Sequence, residues 1–482
     1  MNWETTIGIE VHVELMTESK MFCGCVVDFD APPNTNICPV CLALPGALPV
    51  PNRQVLEWIT AIGLALNCEI TPHSVFSRKN YFYADLPKNY QISQFDLPVC
   101  HDGWLDIEVD GESHRVRIER AHQEEDTGKS IHVGEAGRIH TATETHVDIN
   151  RAGVPLVEVV SRPDIHSGAQ ARAYAQSLRS VVLALGVSDA KLEEGSMRFD
   201  ANISVRREGE PELGTKVEIK NMNSFRSLER ACDFEATRQV GILESGGTIV
   251  QETRHWDEAD GRTHSMRVKE GSSDYRYFTE PDLLPMQFDD AWVDPIRASL
   301  PELPAARAER YASLGVDAHS AGLLVGAEEA FGAVFEAAVE GGVAAKQAAN
   351  WLLQDVTAWL RKEDAALADT PLTGAHLGEL AGLVGDGKLS SNGATAVIEG
   401  VLAGEGGPGE VAGARDLIQI SDSGALEAAV DEAIASNPDE FARYVGGEQR
   451  LTGFFVGQVM KATRGKADPK QVGEILRSRA AG

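Results

Sequence analysis

The run of residues near the N-terminus that could do chemistry is 7–15, in which apolar and polar residues alternate strictly. In a β-strand, successive side chains point to opposite faces, so this pattern predicts a strand with Glu10, His12 and Glu14 together on one face. Carboxylates and a neutral imidazole are common ligands of divalent cations. The spacing therefore predicts that the three side chains converge on one metal ion, with an ordinary solvated sheet face as the alternative.

A second acidic run, 119–126, contains Glu124, Glu125 and Asp126 at the expected end of a strand. Three adjacent carboxylates repel one another unless a cation lies between them. Exposure to water in a turn reduces that repulsion, so a solvated turn is the alternative here. Together with Glu10 and His12, the run favours a metal site.

Two further segments, 198–206 and 216–220, alternate in the same way and mix acidic, basic and amide side chains on their polar faces. Carboxylates can hold a divalent ion while Arg and Lys neutralise phosphate oxygens, so a polyphosphate with its metal ions fits such a surface. A solvated face is again the alternative for each strand alone. The residues predicted to bind the polyphosphate are Arg198, Asp200, Lys216 and Lys220.

Four of the seven cysteines follow the pattern Cys-x-Cys, twelve residues, Cys-x-x-Cys, at Cys23, Cys25, Cys38 and Cys41. Paired short spacings of this kind are typical of a tetrahedral structural zinc site in an intracellular protein. The alternative is a set of unrelated buried thiols. Four thiolates leave no open position for water, which argues against a zinc hydrolase.

The 482 residues contain no apolar run long enough to span a membrane, and the N-terminus lacks the features of a signal peptide. We therefore expect a cytoplasmic protein. The net charge of −29 is opposite to that of a typical nucleic-acid-binding protein. Residues 443–482, however, carry eight Lys or Arg against three acidic residues, a local excess of five positive charges that can hold phosphates.

The patterns predict an α+β first domain, 1–294, with an antiparallel sheet, followed by an all-α domain, 295–406, and a helical tail domain, 407–482. Helices are expected at 52–66 and 169–185. Tight turns are expected at the Asp-Gly pairs, which are Asp102-Gly103, Asp110-Gly111 and Asp260-Gly261.

Several longer motifs resemble those of a known family, the B subunits of the aspartyl/glutamyl-tRNA amidotransferases. The motifs span the whole chain and include Arg78-Lys-Asn-Tyr-Phe-Tyr83, His122-Gln-Glu-Glu-Asp126, Asn150-Arg-Ala-Gly153, Ile219-Lys-Asn-Met-Asn-Ser-Phe225 and Asp274-Tyr-Arg-Tyr-Phe278. The resemblance implies a first domain similar to the catalytic fold of glutamine synthetase and guanidino kinases. It also implies that the helical tail domain contacts tRNA.

The resemblance implies roles for individual residues as well. Magnesium would be held by Glu10, His12 and Glu125, with Glu124 and Glu252 as further candidates. Lys79 would lie where ammonia arrives and Lys88 along its route, so that Lys79, Lys88 and Glu125 form the catalytic set. The implied cofactors are ATP and Mg²⁺, with Zn²⁺ in a structural role.

The implied reaction is phosphorylation by ATP of the side-chain carboxylate of aspartate on tRNA(Asn) or glutamate on tRNA(Gln), followed by amidation with ammonia. The implied enzyme is a glutamine-dependent carbon–nitrogen ligase, a heterotrimer with a glutaminase A subunit and a small C subunit. Either of the two tRNAs fits this reaction as the working substrate. Two alternatives are a non-catalytic tRNA-binding scaffold and the E-type glutamyl-specific paralogue.

Overall fold

The computed structural model describes residues 2–28, 30–133, 143–268, 275–419, 423–463 and 466–481. The chain divides into two compact units, Met1–Pro304 and Ala305–Gly482. The first combines a large mixed sheet with helices and the second is helical, as the α+β prediction requires. The predicted domain limits at residues 294 and 406 stay predictions.

The strands of the first unit form one nine-stranded sheet and three small ones. The nine strands lie in the order β14-β13-β12-β11-β1-β10-β7-β6-β2. In chain order the strands are β1 Trp3–Glu14, β2 Glu69–Ile70, β3 His73–Ser74, β4 Ser77–Asn80, β5 Tyr90–Ser93, β6 Cys100–Val109, β7 Glu112–Glu125, β8 Lys129–Val133, β9 Glu144–Asp148, β10 Pro155–Ser161, β11 Met197–Arg207, β12 Val217–Lys220, β13 Glu252–Asp257, β14 Arg262–Val268, β15 Phe278–Thr279 and β16 Met286–Gln287.

The apolar face of the large sheet forms the core of this unit. Ile7, Ile9, Val11 and Val13 of β1 are each completely buried, as the strict alternation of that strand predicts. Helices of the first unit pack on this face, α2 beside β6 and α3 beside β11. In the part of this unit that the structure describes, the helices are α1 Arg53–Ala65, α2 Gly168–Ala184, α3 Phe225–Glu244 and α4 Asp290–Ala298.

The polar face is organised by cross-strand pairing. His12 lies directly opposite Glu158 of β10 and Arg198 of β11, and Glu158 lies opposite His122 of β7. Directly opposed residues on neighbouring strands have Cβ atoms about 5 Å apart, so each row brings its side chains into contact. Glu10 is in the same way opposite Asp200.

Two details of the first unit differ from the sequence-based predictions. The pairing of β12 with β13 is parallel, so the sheet is mixed rather than purely antiparallel. Asp102-Gly103 lies inside β6 and is not a turn, because β6 continues through it in register with β7. The other two Asp-Gly pairs do form turns, between β6 and β7 and between β13 and β14.

In the described residues, the second unit has two separate hydrophobic cores, one built by residues from 308 to 417 and one by residues from 426 to 480. None of the helices in the described part of the chain is long and apolar enough to cross a membrane. A π-helical segment, Trp351–Val356, joins α8 to α9. The helices are α5 Pro304–Ser313, α6 Ala318–Gly326, α7 Glu329–Glu340, α8 Ala345–Asn350, α9 Thr357–Glu363, α10 Gly374–Gly385, α11 Ser391–Leu402, α12 Pro408–Ala414, α13 Ser423–Ser436, α14 Pro438–Val445, α15 Leu451–Ala462 and α16 Pro469–Ala481.

Candidate functional site

A cavity of about 460 Å³ opens on the polar face of the large sheet. Its wall combines acidic, basic and aromatic side chains, which suits a highly charged ligand better than an apolar one. The lining residues that matter below are His12, Lys79, Glu124, Asp126, Arg198, Asp200 and Lys220.

One group of possible metal ligands in this region is the first acidic cluster, His12, Glu124 and Glu158, whose ligand atoms all lie within 4.8 Å of one another. The three residues come from β1, β7 and β10, which are neighbours in the sheet. His12 Nε2 is 3.4 Å from Glu158 Oε2. The Nε2 atom of the buried His122 is 3.5 Å from Glu124 Oε1 and also 3.5 Å from Glu158 Oε2.

The charges in the first acidic cluster shift the pKa values of its members. Burial alone would lower the pKa of His12, but the hydrogen bond and the charge of Glu158 raise it to about 9. Burial would raise the pKa of Glu124, but the charge of Lys79 brings it down to about 2. The pKa of Glu158 lies well below its usual value despite burial, because His122 and His12 lie beside it. The two carboxylates are therefore ionised and ready to hold a cation.

The second acidic cluster is Glu10, Asp200 and Glu218, from β1, β11 and β12, with ligand atoms also within 4.8 Å of one another. Burial and the negative charges of Glu158, Asp200 and Glu218 raise the pKa of Glu10. Lys220 pairs with Asp200 and lies 3.6 Å from Glu218. One ammonium group does not balance three carboxylates, and a bound divalent cation would supply the missing positive charge.

Lys79 is held close to the first acidic cluster. Its Nζ lies 3.3 Å from Glu124 Oε1 and 5.5 Å from the ring centre of Tyr275. Gln91 and Ser93 also donate hydrogen bonds to the Glu124 carboxylate, at 3.1 and 2.8 Å. The charges of Glu124 and Glu158 raise the pKa of Lys79 well above its usual value although burial opposes this, so Lys79 is positively charged at the cavity wall.

An arginine–acid cluster, made of Glu14, Asp126, Arg151 and Arg198, contributes Asp126 and Arg198 to the wall of the cavity. Arg198 donates to Asp126 at 2.7 Å and lies 3.6 Å from Glu14. Burial, and then the hydrogen bond and charge of Asp126, raise the pKa of Glu14 to about 8. A protonated Glu14 therefore shares its proton with the ionised Asp126, while Arg198 presents positive charge to the cavity.

Lys88 and Glu125 form a separate pair. The Lys88 ammonium contacts the Glu125 carboxylate, which also accepts a hydrogen bond of 2.8 Å from the backbone N–H of Ile92. Both side chains are nearly buried, and Lys88 lies 5.5 Å from the ring centre of Tyr90. A second cavity of about 220 Å³ has Lys88 and Tyr90 in its wall.

The structure brings most of the predicted site residues together but distributes them differently. Glu10, His12 and Glu14 do not converge on one ion, because alternate residues of a strand lie about 6.6 Å apart. Each belongs to a different group: the second acidic cluster, the first acidic cluster and the arginine–acid cluster. Lys79, Glu124, Arg198, Asp200 and Lys220 do line the cavity.

Four predicted residues lie elsewhere, and one of them is Lys88 in the separate pair described above. Glu125 points to Lys88 rather than to Glu124, since the two are neighbours in a strand. Lys216 is exposed and precedes β12. Glu252 bonds with Arg254 and Ser265, whereas the next residue, Thr253, donates to Glu218 at 2.7 Å, so Glu252 faces away from the acidic clusters.

Glu158 and Glu218 are possible metal ligands that the sequence-based prediction left out, and Asp200 is one that it assigned to the polyphosphate instead. Glu158 is 5% exposed and stands as the single charge in an otherwise apolar strand, Pro155–Ser161. An isolated acidic residue in such a strand is costly to bury without a partner. This feature of the sequence could have identified Glu158 as a site residue. Glu218 was already assigned to a polar face but not to a metal.

The four cysteines form a compact group, the cysteine cluster. None is in a disulfide, and the four Sγ atoms lie within 4.8 Å of one another, with Cys38 and Cys41 Sγ 3.9 Å apart. A tetrahedral zinc ion with Zn–S bonds of about 2.3 Å has S–S separations of about 3.8 Å. The donor set and spacing therefore fit a structural zinc ion.

Comparison with known families gives matches over both units. The family described as the GatB/GatE catalytic domain matches residues 5–294, and the family described as the GatB domain matches residues 333–479. The first of these covers more than half of the chain and contains the acidic clusters, the arginine–acid cluster and the cysteine cluster.

Curated relatives match along the whole chain. The aspartyl/glutamyl-tRNA(Asn/Gln) amidotransferase B subunit of Halorhodospira halophila is 50% identical, and the match covers 100% of both chains. The B subunits of the same name from Trichodesmium erythraeum and Salinispora arenicola are 49% and 51% identical. These matches cover 100% and 99% of this chain and 98% and 96% of the relatives.

Proposed function

This chain belongs to the family of aspartyl/glutamyl-tRNA(Asn/Gln) amidotransferase B subunits, and from that membership we propose that it activates and amidates the amino acid on a misacylated tRNA. The amino acid is aspartate on tRNA(Asn) or glutamate on tRNA(Gln). The observation that carries the proposal is a single cavity lined by residues of two acidic clusters and by the cations Lys79, Arg198 and Lys220.

The chemistry explains why such a cavity is needed. A carboxylate is anionic and resists attack by ammonia, so one of its oxygens first attacks the γ-phosphorus of ATP. The bond from phosphorus to the ADP oxygen breaks, and an acyl phosphate forms. Ammonia then attacks the acyl carbon, inorganic phosphate leaves, and a proton is lost to give the amide. The first step brings anions together and therefore requires concentrated positive charge.

The side chains of the cavity supply part of that charge. Lys79, Arg198 and Lys220 neutralise phosphate oxygens, and their acidic neighbours hold each of them in place. His12, Glu124 and Glu158 would hold one magnesium ion, and Glu10, Asp200 and Glu218 a second. When bound, such ions supply positive charge to the phosphates of ATP. The magnesium set implied by the family resemblance is thereby revised, with Glu158, Asp200 and Glu218 in place of Glu125 and Glu252.

Ammonia needs a source and a route. By the family resemblance a glutaminase A subunit releases it, and a small C subunit completes the heterotrimer. We place its route beside the buried Lys88–Glu125 pair, where the second cavity meets polar side chains. The polar side chains of this pair guide the uncharged nucleophile towards the neighbourhood of Lys79.

Three further parts of the proposal concern support and recognition. The basic excess at 443–482, on helices α15 and α16 and the residues before them, contacts tRNA phosphates. The cysteine cluster holds a structural zinc ion. The large sheet with its polar face is a relative of the glutamine synthetase and guanidino kinase catalytic fold.

The test is Glu158→Gln in the reconstituted heterotrimer, assayed for ATP-dependent amide formation on aminoacyl-tRNA and, separately, for glutaminase activity. Loss of one of two carboxylates from the first acidic cluster should lower amide formation at least 100-fold and leave basal glutamine hydrolysis intact. Glu252→Gln, in the same sheet but facing the other way, is the matched control and should retain amide formation.

The scaffold alternative predicts the opposite result. A subunit that only binds tRNA makes no use of buried acids on the polar face of a sheet, so Glu158→Gln would keep full amide formation. Such an outcome, with unchanged tRNA binding in both variants, would refute the catalytic proposal.

A further inference from the structure

The Asn150-Arg-Ala-Gly153 motif, hereafter the 150–153 turn, lies between the cysteine cluster and the arginine–acid cluster. Its first residue, Asn150, faces the cysteine loop. The Asn150 amide donates a hydrogen bond of 2.9 Å to the carbonyl of Pro32 and accepts one of 2.8 Å from the N–H of Asn36. Asn36 comes just two residues before Cys38. The turn is therefore bonded directly to the chain that carries the cysteines.

Two neighbouring residues strengthen this connection. The side chain of Asn34 accepts a hydrogen bond of 2.8 Å from the N–H of Ile149 and donates one of 3.0 Å to the carbonyl of Val147. Lys20 is completely buried, and its Nζ donates to the carbonyls of Asn36 at 2.9 Å and of Ile149 at 3.5 Å. One ammonium group thus bridges the cysteine loop and the segment that leads into the turn.

Lys20 also lies beside the sulfur ligands. A side-chain carbon added to Gly153 would lie 3.4 Å from Lys20 Cδ and 3.9 Å from Cys41 Cβ, so both side chains pack against this glycine. A zinc ion with four thiolates carries a net charge of about −2, and a buried ammonium nearby offsets part of it. Gly153 has a φ of +87°, which disfavours any side chain at that point in the turn.

The other end of the turn holds the arginine–acid cluster. The Arg151 guanidinium donates to the carbonyls of Thr127 and Gly128, both at 3.1 Å, and lies 3.7 Å from the Asp126 carboxylate. The N–H of Gly153 donates to the carbonyl of Asp126 at 2.9 Å. Asp126 in turn accepts the hydrogen bond from Arg198, which lines the cavity.

We propose that the 150–153 turn couples the cysteine cluster to the cavity, with Asn150 as a positioning residue that fixes Arg151, Asp126 and through them Arg198. Zinc held by the cysteines orders residues 32–38, these residues order Asn150, and the turn then places the two arginines. The metal therefore supports the cavity geometry and not only the local fold of its own loop. A chain of direct hydrogen bonds and one buried ammonium carries this coupling.

The first test is hydrogen exchange of the full chain with zinc bound and with zinc removed. Removal should raise the exchange rates of peptides covering 126–128 and 151–154 at least several-fold, because the amides of Asp126, Thr127 and Gly153 lose fixed acceptors. Peptides covering β12 should not change. Exchange that increases only within 20–42 would overturn the proposal. This measurement needs no variant and no ATP.

The second test uses variants with zinc bound. Asn150→Ala should raise exchange at 126–128 even in the presence of zinc. Asn150→Asp keeps the acceptor for Asn36 and should give an intermediate result. Asn437→Ala, which removes a side-chain hydrogen bond of 2.8 Å to Ala433 in the second unit, is the matched control and should leave 126–128 unchanged. Equal exchange at 126–128 in the Asn150 variants and wild type would overturn the proposal.

The third test uses reciprocity. If zinc stabilises the geometry of the arginine–acid cluster, a change that disrupts this cluster should in turn weaken zinc binding, because a coupling free energy acts in both directions. Asp126→Asn should therefore weaken zinc binding several-fold in competition with a chromogenic chelator. Asp200→Asn, in the second acidic cluster, should not. Equal zinc affinities in wild type and Asp126→Asn would show that the coupling ends at the turn and would overturn the proposal.

Discussion

The sharpest prediction concerns competition between a proton and a divalent cation at His12. The hydrogen bond and charge of Glu158 raise the pKa of His12 to about 9, so the imidazole is protonated at neutral pH. A metal ion binds only the neutral imidazole, and binding must therefore release that proton. Well below pH 9, each further decrease of one pH unit then weakens the binding free energy of the ion by about 1.4 kcal/mol.

The expected size of the effect follows directly. Between pH 7 and pH 9 the affinity for Mg²⁺ at the first acidic cluster should rise about 50-fold, about 2.3 kcal/mol in total, because the dependence of about tenfold per pH unit weakens as the pH approaches the pKa. Calorimetric titration of Mn²⁺ or Mg²⁺ in two buffers of different ionisation enthalpy should show release of nearly one proton at pH 7.5. Above pH 9 the dependence should level off.

Glu158→Gln separates this explanation from a general effect of pH. The variant loses affinity because a ligand is gone, but it also removes the charge that raises the pKa of His12. Its affinity should therefore be nearly independent of pH between 7 and 9. Glu252→Gln should keep the wild-type slope. A wild-type affinity that is flat from pH 7 to 9, with no proton released, would refute the reasoning.

The same structure supports three other predictions. The pKa of Glu14 is raised from 4.5 to about 8, so between these pH values the folded state keeps a proton that the unfolded state loses. The free energy of unfolding of the wild type should therefore fall by about 1.4 kcal/mol per pH unit between pH 4.5 and 8. Thermal unfolding of Glu14→Gln should lack this loss. Lys88→Met should reduce glutamine-dependent amidation at least tenfold and reduce amidation with added ammonium chloride much less; equal losses would contradict a role in the ammonia route. The double variant in which Arg450 and Lys461 are both replaced by Glu should have a KM for tRNA raised at least tenfold and a weaker salt dependence of that KM. An unchanged KM would exclude this part of the tail from tRNA binding.

The sequence was sufficient for those features that depend on local pattern. The alternation in β1 predicts both its buried face and the polar positions of Glu10 and His12, and helical spacing predicts α1 and α2 to within one or two residues. It could not show which strands lie beside β1, because strand pairing joins residues far apart in the chain. Glu158 becomes a neighbour of His12 only through that pairing.

The same limitation explains the residues that were placed wrongly or left open. Glu124 and Glu125 are adjacent in sequence, so their side chains point to opposite faces of β7. Only the placement of β7 in the sheet decides that Glu124 faces His12 while Glu125 faces Lys88. A register irregularity between Thr253 and Arg254 changes which side chains of β13 face the polar surface. A one-residue change of phase exchanges the two faces of a strand, so local patterns alone cannot assign Glu252.

The position of β1 connects these observations. It is the fifth of nine strands, and its residues Glu10 and His12 each have cross-strand partners on both sides. Backbone hydrogen bonds of the sheet fix the spacing between the first and second acidic clusters. The relative position of these clusters is therefore precise without any contribution from loops. The arginine–acid cluster differs, because Asp126 and Arg151 lie just beyond strand ends. Loops are more mobile than strands, and an additional constraint is therefore needed there. The cysteine cluster, bonded to this region through Asn150 and Lys20, is in position to provide it.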